Sequence, residues 1–141
     1  MDRSEKTDFP GPSAQDKRLE EMAIGAVLRR TSIEIYHARA VQLQDSEGRT
    51  LWKPEAHACH SNVETWVRHS PAHKRVKGFL LQGPLFGFWK VLAHSLVQIE
   101  GGSLIDITPQ EGNQLHPFVR HLGTDDEFEE FADRGKLIVR P

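Results

Sequence analysis

Hydrophobic positions along the chain recur with two different periods. Leu19, Met22, Ala23, Ala26 and Val27 follow helical spacing behind Ser13 and Asp16. That pattern predicts an amphipathic helix over about 14–30 with one apolar stripe. Residues 1–12 ahead of it are polar, carry Pro10-Gly11-Pro12 and read as a flexible tail, leaving a single domain over 13–141. Residues 33–36 and 40–43 alternate, and Asp45-Ser46-Glu47-Gly48 before Thr50-Leu51-Trp52 is a turn signal, so a hairpin is expected over about 38–52.

The period then changes. Cys59, Val63, Trp66 and Val67 stand at 0, +4, +7 and +8, one face of a helix. Two starts are open: Cys59 in the first turn, or a capping box at Ser61 and Glu64 that leaves Cys59 just outside. Ser70-Pro71 ends this helix. Residues 76–82 predict a strand that Gly83-Pro84 breaks, and residues 88–99 a long apolar strand. Glu100-Gly101-Gly102 turns the chain, and residues 103–108 return. A short strand over 118–122 follows, then a short acidic helix over about 125–134 capped by Thr124 and closed by Gly135. Residues 136–139 form a last strand. The class is α+β, with a helix packed on a small antiparallel sheet.

The turn at Glu100-Gly101-Gly102 decides a register. With three residues in the loop, Ile99 pairs with Ser103 and Leu96 faces Asp106. His94 then shares a face with Asp106, at a diagonal of roughly 7–8 Å. A two-residue loop puts them on opposite faces. A His and an Asp among Leu92, Leu96 and Leu104 need partners, because an unpaired buried charge is costly.

Length of 141 residues, 38% hydrophobic content and a formal net charge of −2 allow one domain and give no general attraction to nucleic acid or anionic membrane. The charged start is not a signal peptide, and no apolar run is long enough to span a bilayer. A single cysteine makes no internal disulfide, so the cytoplasm is the default compartment, with delivery by a leaderless route left open. The basic run from Arg68-His69 to His73-Lys74-Arg75-Val76-Lys77 reads as a solvated loop or as a patch for an acidic partner.

Chemistry concentrates on Cys59, His94 and Asp106. A thiol at a helix start beside an imidazole becomes a thiolate, and a carboxylate on the far ring nitrogen sets the tautomer. In that order they supply nucleophile, base and orienter for attack on an amide of a protein or peptide, chemistry that calls for no cofactor. Backbone N–H groups at Cys59 would form an oxyanion hole, with Gln82, Trp52 and His57 as candidate side-chain donors. Asn62 and residues 83–88 are placed to shape the cleft. Two rival readings are a non-catalytic binding domain and a metal site on His57, Cys59 and His60.

The run from 52 to 110 resembles the papain-like superfamily, in particular its transglutaminase-like branch. The matching residues are Cys59 opening a helix with Trp66 behind it, Leu92-Ala93-His94-Ser95-Leu96-Val97, and Ile105-Asp106-Ile107-Thr108-Pro109. His60 and Leu96 stand where that family often has aromatic residues. The resemblance implies a Cys–His–Asp hydrolase or acyltransferase: a peptidase, a glutamine deamidase or a transglutaminase.

Overall fold

The structure, a computed structural model, describes residues 33–85, 88–110, 115–134 and 136–139. The expected tail, the helix over 14–30 and Gly135 lie outside these residues. In chain order the elements are β1 (Ile33–Glu34), β2 (Tyr36–Ala38), β3 (Leu43–Gln44), β4 (Thr50–Trp52), α1 (Cys59–His69), β5 (Lys74–Leu85) and β6 (Phe88–Gln98). Then come β7 (Leu104–Asp106), β8 (Phe118–Arg120), α2 (Asp125–Arg134) and β9 (Lys136–Val139). The architecture is α+β.

Seven strands form one sheet in the order β1-β8-β5-β6-β7-β2, with β9 also paired to β6; β3 and β4 pair separately. All pairings are antiparallel except β2 with β7. The order has a consequence for shape. Strands β1 and β2 are separated only by Ile35, yet they occupy opposite ends of the sheet. The sheet therefore curls until its ends approach. Tyr36 on β2 meets Phe118 on β8 edge to face, ring centroids 6.2 Å apart, and donates its hydroxyl hydrogen to the His116 carbonyl at 2.9 Å. The concave side holds Tyr36, Val76, Leu80, Leu96, Leu104 and Phe118, with Leu92 against them.

The helices lie over the other side. Val63 of α1 packs on Val97, Ile105 and Ile107, with Trp66 and Val67 beside it. Phe128 and Phe131 of α2 pack on Phe79, at centroid distances of 5.8 and 4.8 Å. Thr124 caps α2: its hydroxyl accepts the Glu127 N–H, and the Glu127 carboxylate accepts the Thr124 N–H. The basic run is not a free loop. Arg75 and Lys77 lie on β5, and their acidic partners belong to this chain's own α2: Lys77 Nζ is 3.3 Å from both Asp125 and Glu129, and Arg75 is 3.9 Å from Glu129.

Two boundaries differ from the sequence expectation. Gly83-Pro84 does not end β5; the strand absorbs it as a register shift between Gln82 and Leu85, with Gly83 at φ 143°. Helix α1 starts at Cys59, not Ser61, because Asn62 N–H already bonds the Ala58 carbonyl at 2.8 Å.

One edge of β6 is shared. Strand β9 pairs with Trp89 to Leu92, and β7 pairs with Val97 and Gln98. Between them, residues 93–96 have no strand neighbour on that side among the described residues. This gap admits the start of α1, where His60 Nδ1 comes within 2.7 Å of Ser95 Oγ.

Candidate active site

The hairpin takes the three-residue turn. Val97 pairs with Ile105, Gln98 with Leu104, and Ile99 N–H donates to Ser103 O at 2.9 Å. Gly101 and Gly102 hold φ of 93° and 96°, values that side chains disfavour. His94 and Asp106 consequently share a face, and His94 Nε2 lies 2.9 Å from Asp106 Oδ2. Both are buried, 7% and 1% exposed, so each satisfies the other's need for a partner. Asp106 Oδ1 accepts the Thr108 N–H at 3.1 Å, and Gln110 Nε2 donates to Oδ2. Three donors thus converge on this carboxylate. Its charge, after the larger effect of burial, helps push Tyr36 up to about 12.

With Nε2 engaged by Asp106, Nδ1 of His94 is the nitrogen left for the sulfur. Cys59 is half-buried and hydrogen-bonds both His94 and His60. Burial pushes the thiol up, but those hydrogen bonds and the charge of His94 outweigh it and bring the thiol down to about 6. Burial pushes His94 down, and the hydrogen bonds and charges of Asp106 and Cys59 reverse this, lifting it to about 9. Between those values a thiolate faces an imidazolium. Helix α1 adds to this, since no side chain caps its start and its first turn has no acidic residue.

The approach to Cys59 is shaped by two neighbours. His57 takes a left-handed conformation, φ 63°, uncommon for a residue with a side chain. Asn62, 3% exposed, ties the first turn down. Its Oδ1 accepts the Glu55 N–H at 3.1 Å, and its Nδ2 donates to the Glu55 carbonyl at 2.8 Å and to Thr108 Oγ1 at 3.0 Å. Helix α1 is thereby fastened to the strand end that carries Asp106.

Cys59 and His94 border a cleft of about 390 Å³ whose walls include Leu80, Leu92, Gln82, His57, Pro109 and His116. Compared with protein-family models, curated proteins and solved structures, the chain has no match.

Of the expected oxyanion donors, Gln82 and His57 line this cleft. Trp52 lies on β4 in the separate two-stranded sheet and is not among the lining residues. Among the described residues no group of three or more His, Cys, Asp or Glu is placed to hold a metal ion, so His57, Cys59 and His60 do not converge as ligands. Sequence reasoning did not find Gln110, His116, or the pair Ser95 and Arg75 behind His60. Gln110 lies four residues beyond Asp106, a spacing that hints at a local contact; the others meet only through the fold. No described helix is long and apolar enough to cross a membrane.

Proposed function

We infer that the protein is a thiol hydrolase or acyltransferase acting on amide bonds of a protein or peptide, of papain-like or transglutaminase-like type. The observation that carries this reading is the hydrogen-bonded run from the Cys59 sulfur through His94 to the buried Asp106, placed on a cleft. The order of parts supports the assignment: a helix opening on the cysteine, then a strand with the histidine, then a strand ending in the aspartate. The thiolate attacks the amide carbon, forming a C–S bond while the carbonyl π electrons move to oxygen. Backbone N–H at Cys59 and the Gln82 side chain border the place where that oxyanion develops. Collapse breaks the C–N bond, and His94 delivers its Nδ1 proton to the departing amine. The thioester is then opened by water, whose proton His94 takes, or by a second amine. A peptide bond, a glutamine amide or an acceptor lysine differ in this scheme only in which amide enters and which nucleophile leaves.

Alkylation by iodoacetamide tests the reading. At pH 6 Cys59 reacts much faster than a free thiol, whose ionisation lies near about 8.5, and His94→Ala slows it. Ordinary thiol kinetics in the wild type would leave a non-catalytic binding domain as the better account.

A further inference from the structure

A second polar run reaches Cys59 from the helix side of the sheet. Arg75 Nε donates to Ser95 Oγ at 3.2 Å. Ser95 Oγ is 2.7 Å from His60 Nδ1, and Arg75 Nη2 is 3.5 Å from the same nitrogen. A guanidinium can only donate, and a hydroxyl has one hydrogen. Arg75 aims a further N–H at His60 Nδ1, so that nitrogen accepts, and Ser95 Oγ, which takes a hydrogen from Arg75 Nε, gives its own hydrogen to it. The ring therefore carries its hydrogen on Nε2. The run is built into the core: Ser95 is wholly buried, and the Phe128 ring meets the imidazole edge to face at 5.5 Å. The charged groups around it are Arg75 and Lys77 from β5, Glu129 of α2 behind Arg75, and His94 from β6.

We propose that His60, pinned by Ser95 and Arg75, is a standing hydrogen-bond donor to the Cys59 sulfur, a positioning residue that keeps the thiolate aimed while His94 moves protons. Its catalytic consequence rests on the amide-hydrolase reading above. The two imidazoles divide the work. His94 gives a proton to the leaving amine and takes one from water, so it spends part of each cycle neutral. The His60 ring takes no part in these transfers, being held through Nδ1 by Arg75 and Ser95. The sulfur therefore keeps a donor when it is expelled from the second tetrahedral intermediate.

The test is the pH dependence of Cys59 alkylation by iodoacetamide in the full chain, comparing wild type with His60→Leu, His60→Gln, Ser95→Ala and His94→Ala. A hydrogen bond to a charged group is worth enough to move the ionisation midpoint by about one pH unit. His60→Leu is expected to raise the midpoint by that amount, cutting the rate at pH 6 about fivefold. Ser95→Ala, which does not touch the sulfur, moves it the same way, and the amide N–H of His60→Gln recovers at least half. If His60→Leu and Ser95→Ala leave the midpoint unchanged while His94→Ala raises it, the role of His60 is overturned and the triad stands. If the midpoint depends on His60 and Ser95 but not on His94, the proposal stands and the triad reading fails. Circular dichroism of each variant separates lost structure from a lost donor, and the Gln rescue decides the case if Ser95→Ala unfolds.

Discussion

Asp106 is the residue on which the charge state of the site turns. It accepts from His94, Thr108 and Gln110 and has almost no contact with water. Asn at this position keeps the shape and removes the negative charge. The sign of the effect follows from the couplings already described. Asp106 raises His94, and the protonated His94 lowers Cys59. In the wild type the thiolate–imidazolium pair spans pH from about 6 to about 9. In Asp106→Asn the His94 midpoint, followed by proton NMR, falls below about 9. The Cys59 midpoint rises above about 6, and the window narrows from both ends. Under the hydrolase reading, turnover drops roughly 10²–10⁴-fold, since the imidazole loses both its charge partner and its fixed orientation. An unchanged His94 titration would mean that the carboxylate only packs.

At the scale of elements, the site exists because α1 is docked end-on into the gap in the β6 edge, and Asn62 is the fastening. Asn62→Ala removes three hydrogen bonds and leaves the Glu55 backbone and the Thr108 hydroxyl to find new partners. A cost of about 2–4 kcal/mol is expected, read as a lower urea midpoint with an unchanged slope. Alkylation of Cys59 should slow as well, because the helix start loses its tie to the Asp106 strand end. The pairing of His94 with Asp106 was legible beforehand. The glycines marked the turn but allowed two or three loop residues; the need of a buried His and Asp for partners favoured the three-residue form, which the structure takes. The start of α1 was less so: Ser61 and Glu64 make a valid local cap, and only the packing of Val63 against Val97 and Ile105 favours the longer helix. The bulge at Gly83-Pro84 was misread for a related reason. A local breaker ends an isolated strand, but β5 is held along its length by β6. The anchoring role of Asn62 was hidden, since its key partner Thr108 is 46 residues away.

For the whole molecule, the closure of the sheet is what places His94 at the rim of a packed interior, and Gly78 permits that closure. It pairs with His94 on one side and with Arg120 on the other. A Cβ at Gly78 would run into the Val119 carbonyl oxygen and the Phe118 ring. The absent side chain is therefore filled by Phe118, which carries the contact with Tyr36 across the curl. Nothing in the local sequence announces this, because a glycine inside a strand usually reads as a weak point. Gly78→Ala is expected to cost at least about 1–3 kcal/mol by overpacking and to slow Cys59 alkylation as β5 shifts under His94. The double variant Gly78→Ala, Phe118→Leu separates the two obstacles. Partial recovery of the thermal midpoint would show that the ring is the harder contact. If the double variant is no better than the single one, the approach of the β8 backbone at Val119 sets the limit, and close strand pairing rather than side-chain packing holds the curl at this point.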